Sequence, residues 1–306
     1  MPFAELSGLG AAICWTLSSL LAPRIIGRFG TIRFNTFRIT IAGVILVAIC
    51  LASNRFDALL WQHSSAIILS GIVGIFLGDT FLFSAVHRLG PRRAGVLFTM
   101  NAPMSILLGW LFLNEQLSLL QLFACSLVLS GVIIAILFGK QDNPHHWEQT
   151  KGRLSVGIML ALGGALGQAV GALLSKPALL AGVDAIAVAT LRVATASVAL
   201  LVAYVLFYLP AIKRRKETTP RPAFWQIPLI DYLGLALMAT LGMVIGMSLL
   251  VWGIGNAHIG IVTTLSAVVP VLVLPALWLT TGQRPALGAW LGATLLVIGA
   301  ALIIWH

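Results

Sequence analysis

Charge is what this sequence has least of. Asp and Glu number 9 and Lys and Arg 19 in 306 residues, so that 9% of the chain is charged while 59% is hydrophobic. A water-soluble globule of that size needs far more polar surface, and the scarcity excludes one. Cysteine is also rare. Cys14, Cys50 and Cys125 all fall in apolar runs, where an isolated thiol behaves as a small hydrophobe, and neither a disulfide nor a metal site is expected from them. Hydrolytic signatures are missing too. With no HExxH, no GxSxG and no paired intramembrane acids, an intramembrane enzyme is disfavoured and no cofactor is implied. His145 and His146 adjoin, with Asp142 and Glu148 nearby, but they lack the spaced partners of a metal site and read as a solvated loop.

Long apolar runs are what the chain has instead. Windows of about 20 residues, the length that crosses hydrocarbon, fall at Phe3 to Ala22, Phe34 to Ala52, Ala66 to Ala85, Ala94 to Leu113 and Leu119 to Phe138. Others follow at Leu154 to Leu174, Ile186 to Leu209, Leu229 to Gly253, Gly260 to Thr280 and Pro285 to Trp305. An all-α integral membrane protein of ten transmembrane helices is predicted. The first window has neither a positive leading region nor a convincing cleavage site, so it is expected to remain as a helix.

The net charge is +10 and the pI near 10.4, yet the basic residues are dispersed among loops, which argues against a nucleic-acid partner. Their distribution reads as an orientation signal. Arg24, Arg28, Arg33, Arg88, Arg92, Arg93, Lys140, Lys151, Arg153, Lys213, Arg214, Arg215, Lys216, Arg221 and Arg284 all follow odd-numbered windows, and only Arg55 and Lys176 lie on the opposite side. Arg38 and Arg192 sit inside windows, where snorkelling to the nearer interface is the default expectation. Because positive loops stay in the cytoplasm, both termini are expected outside it.

Compared with itself at an offset of 154, the chain lays Gly10 on Gly164, Pro23 on Pro177, Thr36 on Thr190, Arg38 on Arg192 and Ala42 on Ala196. From the third window the offset is about 168, placing Gly78 on Gly246 and Gly131 on Gly299, with Pro103 on Pro270 after a one-residue slip. A five-helix unit used twice is predicted, residues 1–140 and 153–306. An odd number of crossings per unit makes the second copy enter from the opposite face, so the two are expected to be inverted repeats.

The opening GLGAAICWTLSSLLAPRI, the stretch FNTFRITIAGVIL echoed by VATLRVATASVAL, and AGVLFTMNAPMSILLGWLFLNEQLSLLQLFACSLVLSGVIIA carry a resemblance to the ten-helix, EamA-type branch of the drug/metabolite transporter superfamily. The second copy departs from the first in having Gln283 where the first has Glu115. What the resemblance implies is export of small organic metabolites or amino acids across a bacterial inner (plasma) membrane by alternating access. A multidrug or lipid-linked solute carrier is the alternative, and a non-transport membrane protein a more distant one. The partners expected are a small solute and membrane lipids, in a monomer or homodimer.

Asp79 is the most conspicuous candidate residue. A carboxylate near the bilayer centre costs about 3 kcal/mol on insertion scales, and its repeat equivalent is Met247, so the fold itself does not demand an acid there. It is expected to hold a polar end of the solute or a coupling proton; the structural alternative is an Asp hydrogen-bonded to Thr80 or Asn101. Pro103 and Pro270 are candidate hinges, since each removes an N–H and frees the carbonyl four residues earlier, at Thr99 and Ser266. Trp15, Ser18, Thr99, Asn101, Gln168, Trp252, Thr264 and Ser266 complete the candidate solute-binding set, on windows that line the cavity in the family resembled. The fifth and tenth windows carry Ser126, Ser130, Gly288, Gly292 and Ala300 but no charged residue within the membrane, and are expected to form a structural seam.

Overall fold

A computed structural model of the chain describes residues 2–89, 91–138, 153–210, 226–269, 271–272 and 287–305. Among the described residues the main helices are α1 (Pro2–Phe29), α2 (Thr31–Ala52), α9 (Ile259–Ser266) and α10 (Leu287–Trp305), with α3 (Ser64–Leu89), α4 (Arg93–Leu113), α5 (Leu119–Phe138), α6 (Leu154–Leu180), α7 (Ala185–Tyr208) and α8 (Leu229–Asn256). The helices α1 to α8 are long and apolar enough to span a membrane, α10 is a shorter apolar helix, and no strand occurs among the described residues. The later part of the predicted ninth window, 273–280, lies outside the described residues, as do Pro270, the Lys213 to Arg221 loop and the adjacent His145 and His146.

Helix ends follow local chemistry. The first helix runs on past the predicted Ala22 to Phe29, and the chain then reverses into α2 through Gly30 alone, whose φ of 77° is open to glycine and strained for other residues. At the start of α7, Asp184 accepts hydrogen bonds from the Ile186 and Ala187 N–H groups, 3.0 Å each, and pairs with Arg55 at 2.6 Å. Asn114 ends α4 in the left-handed region at φ 52° and turns the chain so that Glu115 points back toward the bundle.

Packing joins the halves crosswise. In the first half α1 lies against α8 and α9, and in the second α6 lies against α3 and α4, while α2 pairs with α7 and α5 with α10. The α5–α10 contact is the predicted seam. A Cβ added at Gly131 would come 2.5 Å from the Gly292 carbonyl oxygen, and one at Gly299 would come 2.7 Å from that of Ala124, so the two backbones meet with no side chain between them.

Two π-helical turns occupy matching places, Gly71–Leu77 in α3 and Thr240–Gly246 in α8. A π turn adds a residue and leaves carbonyls free for partners outside the helix. Both turns face the helix that crosses them from the other half. At the α3 turn the crossing helix is smooth: a Cβ on Gly171 would fall 2.6 Å from the Gly74 Cα, and one on Gly164 would fall 3.0 Å from the Gly78 carbonyl oxygen. At the α8 turn the crossing helix presents Trp15 and Ser18 instead.

Candidate functional site

Trp15 donates from Nε1 to the Gly242 carbonyl at 2.7 Å, and Ser18 donates from Oγ to the Met238 carbonyl at 3.2 Å. Gly242 and Gly246 give them room, since a Cβ at Gly246 would stand 2.9 Å from Trp15 Nε1. These two residues therefore satisfy the backbone around the α8 π turn and prop α1 away from α8. Where α6 crosses α3, Ala169 and Ala172 stand at the equivalent positions at the 154-residue offset, and the bond across the crossing comes instead from α3, Ser70 Oγ donating to the Gly171 carbonyl at 2.5 Å.

Asp79 faces neither Thr80 nor Asn101. Its Oδ2 lies 3.5 Å from Arg38 Nη2, with side-chain exposures of 19% and 14%. Thr80 is turned to its own helix and donates to the Phe76 carbonyl at 2.5 Å. Arg38 also donates to Asn35 Oδ1 at 3.0 Å and lies over the Phe34 ring, 5.5 Å from its centroid. The expectation that Arg38 snorkels to an interface is thereby corrected: a carboxylate within reach inside the bundle offers a stronger partner than distant water. Arg192 is corrected likewise. It is 1% exposed and turned toward Gly74 of α3, not toward an interface.

The break in α4 falls at residues 99–100, just before Pro103. The Thr99 carbonyl, which Pro103 cannot serve, accepts the Ala102 N–H at 3.1 Å in a tighter turn. Thr99 Oγ1 donates back to the Val96 carbonyl at 2.6 Å, and Asn101 is buried beside the break. On α9, Thr264 and Ser266 are buried and donate to the Gly260 and Thr263 carbonyls at 2.7 and 2.9 Å. Their hydroxyls are thus engaged within their own helix. Gln168 is half-buried on α6, with its backbone N 3.6 Å from where a Gly78 Cβ would be. Trp252 stands apart from the other eight, 41% exposed near the far end of α8.

Two charge clusters escaped the sequence reading. At the end of the bundle with few basic residues, Lys176 Nζ pairs with Glu115 Oε1 and donates to the Ala257 carbonyl at 2.6 Å, while Glu115 Oε2 accepts the Ile259 N–H at 2.9 Å. This latch ties the α4–α5 turn, the end of α6 and the α8–α9 turn, and its side chains are only 6% and 11% exposed. Glu115 also meets the N-terminus of α9, where an anion is favoured. At the opposite end, buried Asp231 in the first turn of α8 lies with Oδ2 3.7 Å from Arg28 Nε of α1. Among the residues on the sparsely charged face, Lys176 and Glu115 have opposite signs, and matching charges face by face would have found the latch.

An all-helical bundle of apolar spans, interrupted by π turns and holding ion pairs in its interior, defines a polytopic membrane protein of the solute-transporter kind. The profile of the EamA-like transporter family matches residues 2–137 and again 155–305. The chain belongs to that family, part of the drug/metabolite transporter superfamily. No curated protein matches it significantly. One solved crystal structure, described only as that of a protein, is similar in fold, with a TM-score of 0.74 at 20% identity over 98% of this chain and 95% of that one.

Proposed function

We propose that the chain is a ten-helix secondary transporter, made of inverted five-helix units at residues 1–140 and 153–306, that exports small organic metabolites or amino acids by alternating access. The observation that carries this reading is the Glu115–Lys176 latch, a buried ion pair that ties three turns at one end of the bundle. A purely structural bundle gains little from a charge pair there, since apolar residues of the same volume stabilise as well or better. A transporter gains a closure that water can dissolve when that end opens. Inversion of the units is supported by the exchange of partners, α1 with α8 and α9 against α6 with α3 and α4, and by the matched π turns. The bias of basic loops supports a bacterial inner-membrane orientation with both termini outside the cytoplasm.

Asp79 and Arg38 form the polar part of the pathway in this reading, flanked by Trp15, Ser18 and Gln168, with Pro103 as the α4 hinge and Pro270 as its counterpart. A second reading, a carrier of amphipathic or lipid-linked solutes, is favoured by one feature. A cavity of about 340 Å³ opens between α2 and α8, lined by Phe37, Ile41, Tyr232 and Leu235. The test is counterflow in proteoliposomes holding the purified chain and a panel of amino acids, small acids and amphipathic solutes. Saturable uptake of at least one solute is expected. Folded protein that moves none of them in either direction would overturn transport, and movement of amphipathic solutes alone would select the second reading.

A further inference from the structure

The two halves place an arginine at the same point, but only one half gives it an acid. Arg38 of α2 faces Asp79 of α3, while Arg192 of α7 has Met247 of α8 at the position equivalent to Asp79. Arg192 is 1% exposed, and no group among the described residues accepts a hydrogen bond from its Nε or Nη1. A guanidinium keeps its proton at any physiological pH, so burial cannot be relieved by neutralisation and calls for an anion.

Glycines of α3 lie against Arg192. The side chain reaches the α3 π turn, where a Cβ on Gly74 would stand 3.3 Å from Nη2 and one on Gly71 would meet the Arg192 carbonyl oxygen at 2.5 Å. Any larger residue at Gly74 would crowd the guanidinium. The α3–α6 crossing beside it brings Gly74 onto Gly171, with Ser70 Oγ donating to the Gly171 carbonyl at 2.5 Å, so parting the helices at that point breaks one side-chain hydrogen bond. Met247 is buried in the same apolar cluster as Val188, Ala189 and Val193 of α7, and supplies no charge.

We propose that Arg192 is the binding point for a carboxylate of the transported solute, which takes the place that Asp79 fills in the other half. This rests on the transport reading, and it narrows the solute to small carboxylates, amino acids included. A guanidinium offers a carboxylate two parallel N–H bonds along either of two edges, Nε with Nη2 or Nη1 with Nη2, and Arg192 has a nitrogen without a partner on each edge, whereas a halide takes one contact.

The test compares probes that differ only in the acid: benzoate with benzamide, and L-leucine and L-phenylalanine with their amides. Each is titrated against the purified full chain in nanodiscs, reading thermal stabilisation, and each is followed by counterflow in proteoliposomes. The acid is expected to bind about tenfold more tightly than its amide in at least one pair. That preference should vanish in Arg192→Gln. Met247→Glu, which supplies the missing acid from within, should remove the preference while raising the melting temperature without ligand, and it keeps the test alive if Arg192→Gln misfolds. Equal binding of acids and amides by the wild type, or a preference that survives either substitution, would overturn the proposal. So would chloride giving the same Arg192-dependent stabilisation as the acids. Arg192-dependent acid binding without counterflow of any probe would refute transport and leave the site standing; counterflow indifferent to the acid would do the reverse.

Discussion

Replacing Glu115 with Gln should open the end of the bundle that the latch closes. Gln keeps the size of the side chain and an oxygen for the Ile259 N–H, now 2.9 Å away, but removes the charge that Lys176 faces. Lys176 is left 6% exposed with the Ala257 carbonyl as its remaining partner. An uncompensated buried ammonium costs about 3 to 5 kcal/mol. The cost falls on the closed state alone, because opening returns the amine to water, so a net bias of about 3 kcal/mol shifts the balance of states by about 150-fold. Spin labels at Gln116 and Asn256, both exposed and on the two sides of the latch, read the change by pulsed dipolar spectroscopy once Cys14, Cys50 and Cys125 are replaced. The distance distribution should move from one short population to a longer one in Glu115→Gln, and return toward the short one in Glu115→Gln with Lys176→Met, which removes both charges. An unchanged distribution in Glu115→Gln would refute the latch.

Asp79→Asn leaves Arg38 with Asn35 at 3.0 Å and the Phe34 ring, so the loss of stability should be about 1 to 3 kcal/mol, below the full cost of orphaning a buried charge, as read by thermal melting. If Asp79 serves transport, the same variant changes either the response to an imposed pH gradient or the affinity for cationic solutes; unchanged affinity and pH dependence for every transported solute would make it structural. Pro103→Ala should slow transport severalfold without impairing insertion, because the restored N–H competes for the Thr99 carbonyl that Ala102 now holds at 3.1 Å and straightens α4. A full transport rate in that variant removes the hinge. A C-terminal reporter active only in the cytoplasm should stay silent, and its activity would reverse the orientation drawn from the basic loops.

The spans, the seam and the repeat were legible because each follows from composition along the chain: eight predicted windows coincide with membrane-length helices, and Gly131, Gly292 and Gly299 meet where the α5–α10 seam was expected. Pairwise electrostatics was less legible. A sequence shows that Asp79 is costly in a membrane but not that Arg38, 41 residues earlier, stands within 3.5 Å of it. That contact depends on how α2 and α3 are placed by third helices. Thr264 and Ser266 show a related limit, since a sequence does not display that a hydroxyl in an apolar helix bonds to the preceding turn.

What the repeat contributed was a reference state against which departures gain meaning. If the two units were identical and inverted as proposed, both ends of the bundle would close with equal energy and neither state would be preferred at rest. Three interior charges break that equality: Glu115 has Gln283 opposite it in the repeat, Lys176 has Ala22, and Asp79 has Met247. Trp15 and Ser18 likewise stand against Ala169 and Ala172, propping one crossing while its counterpart closes on glycine. Shared glycines, Gly78 with Gly246, build the scaffold twice, and Arg38 with Arg192 sets the same charge in two different surroundings. In the proposed transporter the unshared residues bias which end rests closed, and the shared Arg192 differs from Arg38 because its neighbour is the unshared Met247 in place of an acid.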